Sequence, residues 1–284
     1  TTLAERGHAV TIFEAASEIG GQFNMAKRIP GKEEFYETLR YFRRRIELTR
    51  VELRLSTAAT CEALAQGFDT VVLASGVTPR RPAIPGLDHP KVLSYVDVLL
   101  RGAPVGRSVA LIGAGGIGFD VAEFLGHRKG VIPSLDIGEF MSEWGIDMRL
   151  ATRGGLAATP PPKETGPREI WLLQRKVSKP GDGLGKTTGW IHRTTLKRRG
   201  VHMLAGVNYE RIDDAGLHIA NGDDRRVLAV DNVVICAGQE PLRELEAPLR
   251  ERGIEVQLIG GADVAAELDA KRAIDQGARV AAAL

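Results

Sequence analysis

The stretch Val109-Ala-Leu-Ile-Gly-Ala-Gly-Gly-Ile-Gly-Phe-Asp120 constrains this chain more than any other. An apolar run leads directly into Gly113, Gly115 and Gly118, and core-facing residues at helical spacing follow at Val121, Ala122, Phe124 and Leu125. Strand, glycine turn and helix in that order are the setting that a G-x-G-x-x-G spacing needs. Gly113 permits the tight turn, Gly115 lets backbone approach a pyrophosphate, and Gly118 lets helix and strand pack closely. The unpaired N–H groups and the dipole of the helix N-terminus then favour the phosphates of a dinucleotide.

The second strand of such a unit usually ends in an acid that binds the ribose 2′-hydroxyl of NAD. Here the run Glu169-Ile-Trp-Leu-Leu173 ends in Gln174, Arg175 and Lys176. Two cations in place of an acid suit a 2′-phosphate, which guanidinium binds through paired charge-assisted hydrogen bonds. The reading is therefore NADP(H), with Arg175 and Lys176 as ligands. This run starts well beyond the about 20 residues that normally separate the turn from its acid. Residues 127–168 are thus expected to be an insertion, and Pro160-Pro-Pro162 with scattered glycines predicts partly irregular backbone there.

Two further signals set the architecture. Asp69-Thr-Val-Val-Leu-Ala-Ser-Gly76 and Asp231-Asn-Val-Val-Ile-Cys-Ala-Gly238 are near-duplicates, followed by Pro79 and Pro241. Both read as parallel strands buried on two faces, with small residues where a ligand touches the strand end. Near the N-terminus, Leu3 to Glu14 reads as a helix end, a glycine turn and a strand closing on an acid, with Glu14 where a ribose-binding carboxylate belongs. A last strand, Val256 to Gly261, feeds a helix expected over 263–284 that returns to the first unit. The expected class is α/β, with two Rossmann-like dinucleotide-binding domains.

Composition removes other classes. The 38 Lys+Arg against 36 Asp+Glu leave a net charge of +2, without the basic surplus a nucleic-acid protein uses. Only Cys61 and Cys236 are present, which excludes a disulfide framework, a cysteine-rich metal site and an iron–sulfur cluster carried by this chain alone. No apolar run reaches the roughly 18 residues of a membrane span and no signal peptide opens the sequence, so a cytoplasmic protein with no membrane partner is expected. The stretch Pro180 to Thr187 mimics a P-loop but has Pro180 where the first glycine is needed. The run Arg43-Arg-Arg45 lies on an amphipathic pattern with Phe35, Leu39 and Phe42 and reads as a solvated helix face.

Glu14 with Ile19-Gly-Gly-Gln22, Ala74-Ser-Gly76 with Pro79-Arg80, and the internal glycine fingerprint resemble the two-dinucleotide flavoprotein reductases. More narrowly, Glu143-Trp-Gly-Ile-Asp147, Gln174-Arg-Lys176, Gly183 to Arg193 and Ile259 to Asp269 resemble the C-terminal half of the bacterial NADPH-dependent 2,4-dienoyl-CoA reductase family. The resemblance implies an FAD-binding domain over 1–98 and 231–284, with an NAD(P)-binding domain over 99–230 inserted into it. It implies FAD contacts at Glu14, Gly21, Gln22, Arg28, Ala74, Gly76, Gly260, Gly261 and Asp263. Gly261 holds the place where many relatives carry an acid, and Asp263 follows two residues later. Lys186 and Arg193 are candidate phosphate partners in a flexible loop beside NADPH.

The family is modular, so the resemblance also implies an upstream barrel with FMN and a 4Fe-4S cluster. Electrons from NADPH would reach that barrel through FAD, and no catalytic residue for dienoyl-CoA reduction would lie in this chain. Enoate-reductase-like or trimethylamine-dehydrogenase-like members, and a nucleotide-binding remnant without turnover, are the alternatives. Disulfide reduction is disfavoured by the lack of a C-x-x-C or C-x-x-x-x-C pair. No glycine loop and no strand precede the helix end at Leu3, so the first strand of the FAD domain is read as missing. Unpaired buried strand edges cost about 1–3 kcal/mol per group. The expectation is that this chain binds NADPH, holds FAD weakly or not at all, and shows exposed edges beside Val10–Phe13.

Overall fold

The computed structural model describes residues 1–128, 130, 132–157, 166–266 and 269–284. The chain begins with α1 (Thr2–Glu5), β1 (Thr11–Phe13), α2 (Phe23–Ala26), α3 (Glu34–Leu48), β2 (Glu52–Arg54), α4 (Cys61–Leu64), β3 (Thr70–Leu73) and β4 (Val77–Pro79). It continues with β5 (Val92–Ser94), α5 (Tyr95–Leu99), β6 (Ser108–Ile112), α6 (Gly116–Gly126), α7 (Ile137–Trp144), β7 (Glu169–Leu173), α8 (Gly189–Arg198) and β8 (His202–Leu204). Then come β9 (Asn208–Asp213), β10 (Gly216–Asn221), β11 (Asp224–Leu228), β12 (Asn232–Ile235), β13 (Gln239–Pro241), α9 (Glu246–Glu251), β14 (Glu255–Leu258) and α10 (Ala270–Ala283). Two units emerge: Thr1–Asn24 with Glu34–Arg80 and Gln239–Leu284, and Met25–Glu33 with Arg81–Gly238.

The second unit is built on a parallel sheet in the order β5-β12-β6-β7-β8. Strand β6 lies at its centre, and Val109, Ala110, Leu111 and Ile112 are almost wholly excluded from solvent. The alternation of a strand sends Val109 and Leu111 to one face, where they pack with Val98, Phe119, Val121, Leu125 and Leu196 of the helices. Ala110 and Ile112 turn to the other face, against Ile212, Leu217, Ile219 and Leu228 of the antiparallel sheet β11-β10-β9. Burial on both faces is the reason β6 reads as an unbroken apolar run. The valine, leucine and isoleucine side chains among these residues each contribute about 1.5–3 kcal/mol when buried.

The boundaries of this unit differ from 99–230. Strand β12 is hydrogen-bonded to β6 on one edge and β5 on the other, so 81–98 and 231–238 fall in this unit. Met25 and Ile29 are buried in the same cluster as Val109, which brings 25–33 with them. Arg28 donates from Nη1 to the carbonyls of Leu99 (2.8 Å) and Leu100 (3.1 Å), and Lys32 meets Asp120 of α6 at 2.7 Å.

The described part of the 127–168 insertion is partly irregular, as the prolines and glycines lead one to expect, with α7 set between two short 3-10 turns. Asp136 caps α7 by accepting from the Glu139 N–H (2.9 Å), and Gly145 closes the helix with φ 66°. Pro160-Pro-Pro162 lies outside the described residues. Buried Arg199 pairs with Glu123 of α6 and with Glu143 of α7, joining the insertion to the end of α8.

In the first unit β1 pairs with β2 and β3 with β14, both parallel, while β4 and β13 form an antiparallel ribbon. Among the described residues β1 is paired along one edge only, and Thr11, Ile12 and Phe13 are half-buried. The core of this unit is Cys61, Leu64, Val71, Leu73, Leu249 and Val256. Helix α3 buries Leu39 and Ile46, and its arginines face outward: Arg40 pairs with Glu37 (2.6 Å), Arg44 with Glu47 (2.8 Å) and Arg45 with Glu5. The near-duplicate strands sit in different sheets, β3 against β14 and β12 against β5 and β6. The last helix starts at Ala270 rather than 263, because Gly260–Ala262 forms a 3-10 turn and Asp269 caps α10 by accepting from the Arg272 N–H (2.6 Å).

Candidate functional site

Three glycines shape a cradle at the C-terminal end of β6. Gly113 has φ 116°, and a Cβ there would overlap the Cys236 carbonyl oxygen. A Cβ on Gly118 would overlap the Gly113 carbonyl oxygen, so helix and strand touch through backbone. Gly115 is different. It is the N-cap of α6, it is exposed, and neither it nor Gly116 has an atom within 4 Å of a built Cβ. That open space in front of the first N–H groups of α6 is what a pyrophosphate needs.

The strand that follows places the cations beside this turn. Ile112 is in register with Leu173, and the Gly113 N–H donates to the Leu173 carbonyl at 2.8 Å. Arg175 and Lys176 lie just beyond Leu173, exposed and without an ion pair among the described residues. Burial pushes the Tyr209 phenol of β9 up from its ordinary value, against the lowering influence of the Arg175 guanidinium. Burial likewise pushes the Cys236 thiol up. No sequence signal pointed to Tyr209, because its strand belongs to the antiparallel sheet.

The glycine-rich stretch after β7 is stapled to the cradle. The Gly181 N–H donates to the Ala114 carbonyl (3.1 Å), and a Cβ on Gly181 would come within 2.7 Å of the Phe119 ring. Arg193, expected to meet phosphate from a loop, lies in α8 and donates to the Gly181 carbonyl at 2.9 Å. The last turn before α8 leaves Lys186 exposed. Gly181, whose φ of 74° and tight fit against Phe119 mark the staple, was legible only as one of several glycines in the run.

In the first unit the strand ends of β3 and β14 stand side by side. The Ile259 N–H donates to the Leu73 carbonyl (3.1 Å), which brings Ala74 and Gly76 to the turn of Gly260 and Gly261. Gly260 has φ 61°, and its N–H donates to Gln276 Oε1 (2.7 Å). Gln276 also donates to Asp263 Oδ2 (2.7 Å). Gln239 Nε2 reaches Gln22 Oε1 at 3.4 Å, beside Gly21, which is exposed with φ 47°. Glu14 stands at the end of β1, one carboxylate oxygen accepting from the Ala16 N–H (2.8 Å), on a ladder that shares no pairing with β3–β14 among the described residues. Arg28 belongs to the other unit, where it is bound to carbonyls at the end of α5 and its charge offsets their partial negative charge.

Cys61 and Cys236 are both buried and unbonded, one in each unit. Among the described residues no cluster of His, Cys, Asp and Glu could hold a metal, and no helix is long and apolar enough to cross a membrane.

Comparison with known proteins adds to this geometry. The chain is 27% identical over 264 residues to the metal reductase of Desulforamulus reducens, covering 91% of this chain and 38% of that protein. It is 27% identical over 275 residues to the bilirubin reductase of Mediterraneibacter gnavus, covering 96% of this chain and 36% of that one. It thus spans little over a third of the length of these curated relatives. The fold matches that of 2-naphthoyl-CoA reductase with a TM-score of 0.80 at 23% identity, over 99% of this chain and 37% of that one. Histamine dehydrogenase from Rhizobium sp. 4-9 matches with a TM-score of 0.73 at 19% identity, over 100% of this chain and 41% of that one. A family model matches residues 1–271. The chain belongs to the pyridine nucleotide-disulphide oxidoreductase family, as a flavin- and pyridine-nucleotide-dependent oxidoreductase module.

Proposed function

We propose that the chain is the electron-input module of a flavin oxidoreductase, taking reducing equivalents from NADPH to FAD for transfer to an upstream barrel with a 4Fe-4S cluster and FMN. By its resemblance to the 2,4-dienoyl-CoA reductases, that barrel would reduce 2,4-dienoyl-CoA in unsaturated fatty acid β-oxidation. The observation that carries the nucleotide choice is the pair Arg175–Lys176 beside the glycine turn, with no acid in the ribose position. The curated relatives act under names as different as metal reductase and bilirubin reductase, which suits a donor-side module reused with different acceptors.

When bound, the reduced nicotinamide supplies a hydride that the flavin accepts. The residues of this chain bind and orient. The N–H groups at Gly115 and Gly116 hold the NADPH pyrophosphate, Arg175 and Lys176 take the 2′-phosphate, and Lys186 approaches the phosphates from the stapled loop. Glu14 accepts from the FAD ribose, while Gly21, Gln22, Ala74, Gly76, Gly260 and Gly261 leave room for backbone contacts. The absence of a paired cysteine fits transfer to a partner module rather than to a thiol.

Mixing the FAD-supplemented chain with NADPH or NADH without oxygen tests the proposal. The flavin absorption band should bleach faster with NADPH, and Arg175→Ala should remove about one to two decades of that advantage. Binding of both nucleotides with no bleaching would favour a nucleotide-binding protein without turnover.

A further inference from the structure

We propose that Gln174 is a positioning residue that holds the 2′-phosphate cations in place; the inference rests on the NADPH reading above. Gln174 occupies the position after β7 where NAD-type units present an acid to the ribose. Its side chain is half-buried and turned back on its own loop. The amide nitrogen donates to the Lys176 carbonyl (3.1 Å) and to the Ser178 carbonyl. Both amide protons are used, and a carboxylate of the same shape has none to give.

The backbone of this loop is fixed from the other side. The Gln174 N–H donates to the Leu204 carbonyl (3.0 Å), the Val207 N–H to the Gln174 carbonyl (3.0 Å), and the Gly206 N–H to the Lys176 carbonyl (2.9 Å). The loop is thus held to the β8–β9 connection along its backbone and closed across its chord by one side chain. Arg175 and Lys176 project from this frame with no acidic partner among the described residues. A preformed frame removes ordering cost at the moment of binding, so it raises affinity for a ligand that uses both cations. A ligand lacking the 2′-phosphate gains nothing from it.

Equilibrium binding of NADPH and of NADH to the full chain tests this with Gln174→Met, Arg175→Ala and the double variant. Gln174→Met keeps the shape and removes the donors. It should lower NADPH affinity about tenfold more than NADH affinity, the size of a lost hydrogen-bond pair. The double variant should show nearly the NADPH/NADH ratio of Arg175→Ala alone, because little is left to position. Equal loss for both nucleotides, or full additivity with Arg175→Ala, overturns the positioning role. If Arg175→Ala itself shows no NADPH-selective loss, the 2′-phosphate reading has failed, and the assignment of Gln174 falls with it. Should Gln174→Met not fold, Gln174→Ala takes its place, and failure of both to fold would make Gln174 structural and overturn the proposal.

Discussion

Gly115 and Gly118 sit three residues apart in one motif and answer to different forces. Gly118 is a packing residue, since its Cα faces the Gly113 carbonyl with no space for a methyl group. Gly118→Ala should therefore push α6 off β6 and destabilise the chain by about 1–3 kcal/mol, the usual cost of overpacking. Gly115 has open space ahead of it and a φ of −89°, which any residue adopts. Gly115→Ala should leave the denaturant midpoint almost unchanged and still weaken NADPH binding, because the methyl group enters the pyrophosphate space. Urea unfolding and nucleotide titration of the two variants separate the roles. Loss of stability in both would mean that Gly115 also serves packing.

At the scale of elements, the insertion is secured by a buried charge cluster. The Arg199 side chain is 4% exposed between Glu123 at 14% and Glu143 at 17%. Burial raises the Glu123 carboxyl above its usual range, against the lowering influence of Arg199. Removing the cation leaves buried carboxylates unpaired, so Arg199→Met should cost about 3–5 kcal/mol. Glu123→Gln in that background should recover part of the loss. A carboxyl raised in the folded state penalises folding where it must ionise, so the Arg199→Met deficit should shrink as pH falls. A pH-independent deficit would point to lost packing instead.

The β9–β10 hairpin carries an opposite case. Asp213 is lowered to about 2, chiefly by its hydrogen bond with His218, at 2.9 Å, and further by Arg211 and the Ala215 N–H. A depressed carboxyl stabilises the fold above its ordinary range near 3.9 and loses that contribution as pH falls through the folded value. Asp213→Asn should flatten the acid limb of the stability profile between about pH 4 and pH 2. An unchanged limb would show that Asp213 does not contribute there.

Among the described residues each unit has a core of its own. One surrounds β6 on both faces, and the other is the smaller cluster around Val71, Leu73 and Val256. Separate cores of unequal size favour separate transitions over one two-state event. Calorimetry should resolve two, with the unit of β6 melting higher. NADPH at 100 times its dissociation constant should stabilise the unit that binds it by about 2.7 kcal/mol and raise only the upper transition. A single transition that shifts as a whole would refute this division.

The glycine cradle was legible from the chain because its requirements are local. Gly113 needs a positive φ and Gly118 an absent Cβ, and both demands fall within six residues of one strand end. The burial of β6, the amphipathic face of α3 and the place of Arg175 and Lys176 were likewise readable from spacing. Partnerships were not. The sheet claims β12 and β5 because hydrogen bonds run between strands far apart in sequence, and no local pattern states which strand lies beside which. Arg28 and Arg193 have the chemistry of phosphate ligands, yet their guanidinium groups meet backbone carbonyls of Leu99, Leu100 and Gly181 that only the folded chain brings within reach. Local sequence determined where backbone must bend and which faces must be buried. The tertiary structure decided which polar groups each side chain satisfies, because that depends on neighbours contributed by distant segments.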